Sequence, residues 1–466
     1  MAETVPPVSD SLASNTTKFT FEEQATASVA LYSMSIFCII VGGIRSAKYV
    51  AKIVKKNKLI EGSITMKEAK KFPLSASMVL FGLYLFFKPS DQRFNWVASV
   101  AQKLQVPQEY VDKINATIIS YTANSTEPTK PLYEKILNKI PANIQEQIVV
   151  PEFVQGYFHW VAERIPHIGK DEVMILLTFL ICFEGLTALA TLVKPLISGL
   201  LRIIPGLGFN APYLLSLKKG TKEMDEGDIE DASKKDTEYL FKVEIDRHDI
   251  FALIFCSPVL ISHLTQRHWI TNNLIGIAFS ILGIERLHLA SFRAGALLLA
   301  GLFIYDIFWV FGTDVMTSVA KGIDAPILLQ FPQDIYQVGP WEAVKHSMLG
   351  LGDIVIPGIF IALLRRFDQR VVQTTAEAKN PNKKGRYYFA VTIVAYALGL
   401  LITMAVMHHF KAAQPALLYL VPCCLLIPLL LSAIRGETSA LWNYDEGKYV
   451  DNEENRKKVD PSKKNN

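Results

Sequence analysis

Apolar positions in this chain come in long unbroken blocks separated by charged stretches, not in the short periodic stripes of a soluble fold. Nine blocks are long enough to consider as membrane-crossing helices: 27–44, 73–88, 172–193, 249–265, 269–285, 294–312, 345–364, 388–408 and 415–434. The second, fourth and fifth fall short of the ~20 residues a straight crossing needs. Tilt, local thinning or burial inside a bundle accommodates such segments. The expected fold is an all-α polytopic membrane protein.

Charge orients it. The first 26 residues carry Glu3, Asp10, Glu22 and Glu23 but only Lys18, which is not the basic start of a cleaved signal peptide. The first block is followed by Arg45, Lys48, Lys52, Lys55, Lys56 and Lys58, so the N-terminus is expected in the lumen and the loop 45–71 in the cytosol. Glycosylation sequons at Asn15, Asn115 and Asn124 all fall on the expected lumenal side. Alternation then puts Arg365, Arg366, Arg370, Lys379, Lys383, Lys384 and Arg386 in the cytosol, together with the C-terminus.

The chain divides on this reading into a lumenal tail (1–26), two crossings (27–88) and a lumenal insertion (89–171). A third crossing with a cytosolic loop (172–248), a core of six crossings (249–436) and a cytosolic tail (437–466) follow. Within the insertion, Val97–Leu104 and Leu132–Ile140 read either as short amphipathic helices or as parts of a solvated insertion. Leu200–Leu217 is apolar but broken by glycine and proline, hence interfacial, and the charge-dense 218–247 is expected to be flexible. Lys463 and Lys464 resemble a dilysine signal for retrieval to the endoplasmic reticulum.

Half the residues are hydrophobic, too apolar for a soluble enzyme of 466 residues. The net charge of +4 is accounted for by loop orientation, so nucleic acid is not an expected partner. Cys38, Cys182, Cys256, Cys423 and Cys424 all lie in apolar blocks and read as small buried hydrophobes. No disulfide framework, zinc spacing or other metal or cofactor motif stands out. His408 and His409 are adjacent, so they read as the end of the eighth crossing instead of a ligand pair.

Two acids break the pattern: Asp306 in LFIYDIFWVFG and Asp353 in MLGLGDIVIPG. A carboxylate at membrane depth is costly unless it faces protein or water, which makes it a candidate functional group. On antiparallel crossings 294–312 and 345–364 they stand roughly 18 Å and 17 Å from the cytosolic ends. Carboxylates meeting at one level hold a single proton between them near neutrality. The ionised member then takes a proton from water while the protonated one hydrogen-bonds a scissile carbonyl. Gly350 and Gly352 bracket Leu351 just before Asp353; they either leave backbone open for an unwound substrate strand or merely permit close helix packing. Glu184, inside the third block, is a further acid with no assigned role.

Tyr305-Asp306, Gly350-Leu351-Gly352-Asp353 and Gln414-Pro415-Ala416-Leu417 resemble, in order and approximate spacing, the YD, GxGD and PAL motifs of the presenilin-type intramembrane aspartyl proteases. HWITNNLIGIAFS, GLFIYDIFWVFGT, MLGLGDIVIPGIFIALLRRFD and QPALLYLVP are most similar to the signal peptide peptidase branch. The resemblance implies a presenilin-like bundle of nine transmembrane helices in the endoplasmic reticulum, acting on signal-peptide remnants and type II-oriented membrane proteins. It implies Asp306 and Asp353 as the catalytic pair, with Tyr305 supporting the first. Gly350, Leu351 and Gly352 would shape substrate approach, and Gln414, Pro415, Ala416 and Leu417 would close the site. From the residues alone, Pro415 reads either as an ordinary proline of a helix's first turn, which its spacing favours, or as leaving carbonyls unpaired that would orient a substrate or an aspartate. Self-association and quality-control partners are further expectations.

Other classes use similar parts. Proton-coupled transporters also carry intramembrane carboxylates, but they commonly show paired repeats and no second aspartate–glycine half is visible here. A scaffold that binds membrane helices without cutting them would share the same groove.

Overall fold

The computed structural model describes residues 21–55, 63–87, 170–204, 208–218, 239–311, 326–343, 345–376, 387–410 and 414–446. Its elements, in chain order, are α1 (Phe21–Lys55), β1 (Ser63–Ile64), α2 (Met66–Phe87), α3 (Lys170–Leu201), β2 (Pro212–Lys218) and β3 (Tyr239–Asp246). They continue with α4 (Arg247–Gln266), α5 (Trp269–Arg286), β4 (His288–Leu289), α6 (Phe292–Phe311), β5 (Leu328–Pro332) and α7 (Ile335–Val338). The last are β6 (His346–Gly350), α8 (Leu351–Ala376), α9 (Tyr388–Phe410), α10 (Leu417–Ile434) and α11 (Thr438–Trp442).

A helix occupies each of the nine apolar blocks. Six of these helices (α1, α3, α4, α6, α9 and α10) are long and apolar enough to cross a membrane. The other three carry polar groups along their length: Lys70 and Lys71 in α2, Asn272 and Asn273 in α5, and Arg365, Arg366 and Asp368 in α8. Leucine, isoleucine and phenylalanine stand exposed around the outer helices, as at Ile175, Leu176, Ile254, Phe255, Ile304, Leu426 and Leu430. A helix apolar all round is suited to lipid on its outer side.

The core is built on α8. Ile359, Phe360, Ile361, Ala362, Leu363 and Leu364 are buried on successive positions, so every face of this helix is covered. It packs against α1, α5 and α9, with α6 and α10 completing the cluster. A second cluster joins α3, α4 and the back of α5, and a third joins Tyr84 of α2 to Trp309 of α6. Trp309 Nε1 donates to Ser77 Oγ at 3.1 Å across that contact.

Three two-stranded sheets interrupt the helices, where no strands were expected. β2 and β3 form an antiparallel hairpin from Pro212↔Asp246 to Lys218↔Tyr239. Its strands overlap both the stretch expected to be interfacial and the one expected to be flexible, because cross-strand pairing satisfies backbone that glycine and proline deny to a helix. Lys194 of α3 anchors the hairpin's exit, bonding Asp246 at 2.9 Å and Asp249 at 2.8 Å. β5 and β6 pair antiparallel from Leu328↔Gly350 to Pro332↔His346. His346–Gly350 is therefore a strand and α8 begins only at Leu351, a correction to the expected helix over 345–364.

The start of the expected tail is packed into the body. Phe292 N donates to Tyr444 O at 3.1 Å and Glu446 N to Ala290 O at 2.8 Å. Leu441 and Tyr444 are buried. Arg366, counted above as a loop cation, lies inside α8 at 2 % exposure and pairs with Glu446 at 2.7 Å. Its Nη1 also donates to Ser46 Oγ of α1 at 2.7 Å.

Glu184 lies on the exposed side of α3. His408 and His409 occupy the last turn of α9. All five cysteines are free thiols, four of them buried, in keeping with small apolar fillers. Among the described residues no group of three or more metal-ligating side chains occurs. Asn15, Asn115, Asn124, Lys463 and Lys464, with the segments Val97–Leu104 and Leu132–Ile140, lie outside the described residues.

Candidate active site

Four helices and one small sheet converge on the two aspartates. α6 contributes Asp306 from its second half, buried at 4 % exposure. α8 contributes Asp353 from its first turn, half-buried, just where the chain leaves β6. The carboxylates are close enough for the charge of one to act on the other. Two mid-helix acids at one depth were expected; Asp353 instead stands at a strand–helix junction, in the first turn of α8 directly after β6.

α10 and α9 hold the pair from behind. Leu417 N donates to Asp306 Oδ2 at 3.1 Å. The Pro415 and Ala416 carbonyls, unpaired on one of the two readings above, are instead taken by the first turn of α10, accepting from Leu418 N at 3.3 Å and Leu420 N at 3.1 Å. What Pro415 and Ala416 leave over is a donor: the first amides of a helix have no intrahelical acceptor. Gln414 stays local, with Tyr419 Oη donating to its Oε1 at 3.4 Å. Tyr396 of α9 donates to the Asp353 carbonyl at 3.2 Å.

Tyr305 lies beside Asp306 in sequence, yet its ring packs on Trp309 at 6.4 Å, and among the described residues no hydrogen bond joins it to Asp306. It walls the site toward α2. The glycines separate the two alternatives raised by the sequence. A Cβ on Gly352 would meet nothing within 4 Å, and one on Gly350 would meet only the Asp353 carboxyl, at 3.4 Å. Neither glycine is needed for helix packing; both leave open backbone beside an aspartate. Leu351 N donates to Ile327 O at 3.1 Å, closing the base of the hairpin.

The strand geometry fixes which backbone faces outward. Gln330 N donates to Asn273 Oδ1 at 2.8 Å, and Gln330 O accepts from Asn273 Nδ2 at 2.6 Å. Leu328 O likewise accepts from Asn272 Nδ2 at 2.6 Å. Gln330 and Leu328 thus point away from β6, and alternation sends the groups of Leu329 and Phe331 toward it. The same alternation turns the N–H and C=O of Met348 and the N–H of Gly350 to the outer edge of β6, while the Gly350 C=O opens the first turn of α8. Among the described residues no strand pairs with that edge. Asn272 and Asn273 were not singled out in the sequence, although two adjacent amides in an otherwise apolar run were a visible signal.

The comparisons agree with this architecture. Residues 55–448 match the family model described as signal peptide peptidase. A Caenorhabditis elegans protein named intramembrane protease 2 is 69% identical over 473 residues, covering 100% of this chain and 99% of that protein. Mus musculus signal peptide peptidase is 34% identical, covering 91% of this chain and 84% of that protein. The Homo sapiens signal peptide peptidase is 41% identical over 278 residues, 60% of this chain and 67% of that protein. No solved structure matches. The chain therefore belongs to the signal peptide peptidase family of intramembrane proteases.

Proposed function

We propose that the chain is an aspartyl endopeptidase that hydrolyses peptide bonds within membrane-spanning segments, with Asp306 and Asp353 as its catalytic pair. The observation that carries this is that two carboxylates on the packed helices α6 and α8 lie within electrostatic reach of each other beside a strand edge that no described strand pairs with. Such a pair holds one proton: the ionised member takes a proton from water, and the protonated member donates to the substrate carbonyl as it becomes tetrahedral. The Leu417 amide keeps one oxygen of Asp306 in place during this exchange.

A helical substrate must unwind before its peptide bond is accessible. The outward N–H and C=O of Met348 and the N–H of Gly350 offer an unwound segment a strand to pair with, five and three residues before Asp353 in sequence. Gly350 and Gly352 keep that approach free of side chains.

In this reading all nine long helices cross the membrane, with the N-terminus lumenal and the C-terminus cytosolic. The segments 1–26, 27–88, 89–171, 172–248, 249–436 and 437–466 then have the roles set out from the sequence. Substrates are signal-peptide remnants and other type II-oriented segments, and Lys463 and Lys464 return the protein to the endoplasmic reticulum. The test is cleavage of a labelled signal-peptide helix by purified protein. Asp306→Asn and Asp353→Asn each abolish turnover while the protein remains folded and binds substrate; undiminished cleavage in either variant rejects the assignment.

A further inference from the structure

Two carboxamides, each only 4 % exposed, sit side by side on α5 and spend their hydrogen bonds on the main chain of β5. A buried amide is costly unless satisfied, so its partners reveal its purpose. Asn273 meets Gln330 through both its oxygen and its nitrogen, which is the pairing a neighbouring strand would make. Its Nδ2 also lies 3.9 Å from Met34 Sδ on α1. The sheet of β5 and β6 thus has one edge closed by side chains of α5 and the other open beside Asp353.

We infer that Asn273, assisted by Asn272, is a positioning residue that fixes the β5–β6 sheet against α5 and so sets which substrate bond reaches the aspartates. This rests on the aspartyl protease reading above. With the β5 edge occupied, an incoming extended segment has a single edge to join. With Gln330 pinned, its cross-strand partner Met348 is held too, and through the same register Gly350 opposite Leu328. Neither amide touches the reacting atoms; both act through the strand. Loosening the pin lets β6 shift, and strands keep their faces only when they slip by about two residues at a time.

The test uses the full-length protein and a labelled transmembrane peptide, with products read by mass. Asn273→Ala, and Asn273→Asp, which keeps the acceptor and removes the donor to Gln330 O, spread cleavage over bonds about two residues from the principal one. Thermal stability is followed in parallel, because a merely structural role would lower stability and rate together while leaving the product pattern intact. That result, or a wild-type pattern at wild-type rate, overturns the inference. Should Asn273→Ala not fold, Asn272→Ala removes the single bond to Leu328 O and is judged by the same pattern. Asp306→Asn is run alongside: undiminished cleavage there rejects the protease reading itself, whereas its loss with an unchanged Asn273 pattern rejects only the positioning role.

Discussion

The amide of Leu417 and the carboxyl of Asp306 lie 111 positions apart in sequence and meet at 3.1 Å. Leu417 is the first residue of α10, where an amide has no acceptor within its own helix. Replacing Leu417 by its α-hydroxy acid turns that amide into an ester and deletes the donor alone. A hydrogen bond to a charged group contributes about 1.5–3 kcal/mol, so turnover is expected to fall roughly 10- to 100-fold. Single-turnover kinetics on the ester protein check it; an unchanged rate removes Leu417 from the site.

Gly399 of α9 faces the same helix. A Cβ there would come within 3.1 Å of Leu420 Cα and 3.3 Å of Tyr419 O, main-chain atoms that cannot rotate away. Gly399→Val is expected to destabilise by about 1–3 kcal/mol through overpacking and to move α10 off Asp306. Gly82→Val, with nothing within 4 Å, is the matched control and leaves thermal stability unchanged.

Arg366 and Glu446 are both almost fully buried, and their pairing ties the segment after α10 to α8. Removing one partner strands a buried charge. Glu446→Ala is expected to cost about 3–5 kcal/mol, and the double change Arg366→Met with Glu446→Leu to recover most of it. Thermal unfolding in detergent compares the three proteins; equal losses in single and double variants contradict the account.

His288 in β4 is fully buried, stacked on Tyr49 at 5.6 Å. Burial first, and then the charge of Arg366, push it down from the ordinary 6.5 to about 3. The unfolded chain takes up a proton below 6.5 that the folded chain refuses until about 3. Stability is therefore intact above that upper value and declines as pH falls toward the lower one. Between pH 6.5 and 5 the loss is about 2 kcal/mol. His288→Phe keeps the stacked ring and flattens the pH dependence of unfolding by that amount.

Much of this was legible in the sequence. Blocks of apolar residues located the helices, and the isolation of Asp306 and Asp353 marked the site proposed here. The strands were not legible. His346–Gly350 ends in Met348, Leu349 and Gly350 and runs without a break into α8, so by hydropathy it joins that helix, and its partner Leu328–Pro332 lies beyond an intervening turn. Tyr239–Asp246 is hidden by neighbouring charges, and its pairing with Pro212–Lys218 is a long-range event that local composition does not report. Arg366 illustrates a third limit. Positive charge was attributed to loop orientation, while its buried partner Glu446 stands in a polar segment with no mark of burial.

One rod touches both ends of the molecule. Near its start Glu23 of α1 accepts from Gln337, in the connection between β5 and β6, at 2.7 Å; further on, Ser46 accepts from Arg366. Those pins stand about 35 Å apart along a straight helix, slightly more than the ~30 Å of bilayer hydrocarbon. On the proposed topology such a gauge of fixed length would make the surrounding lipid conform to the protein. If α1 crosses the bilayer as proposed, membranes much thicker or thinner than that span strain the fastenings at either end, and acyl-chain length is then expected to modulate the proposed activity without any ligand at all.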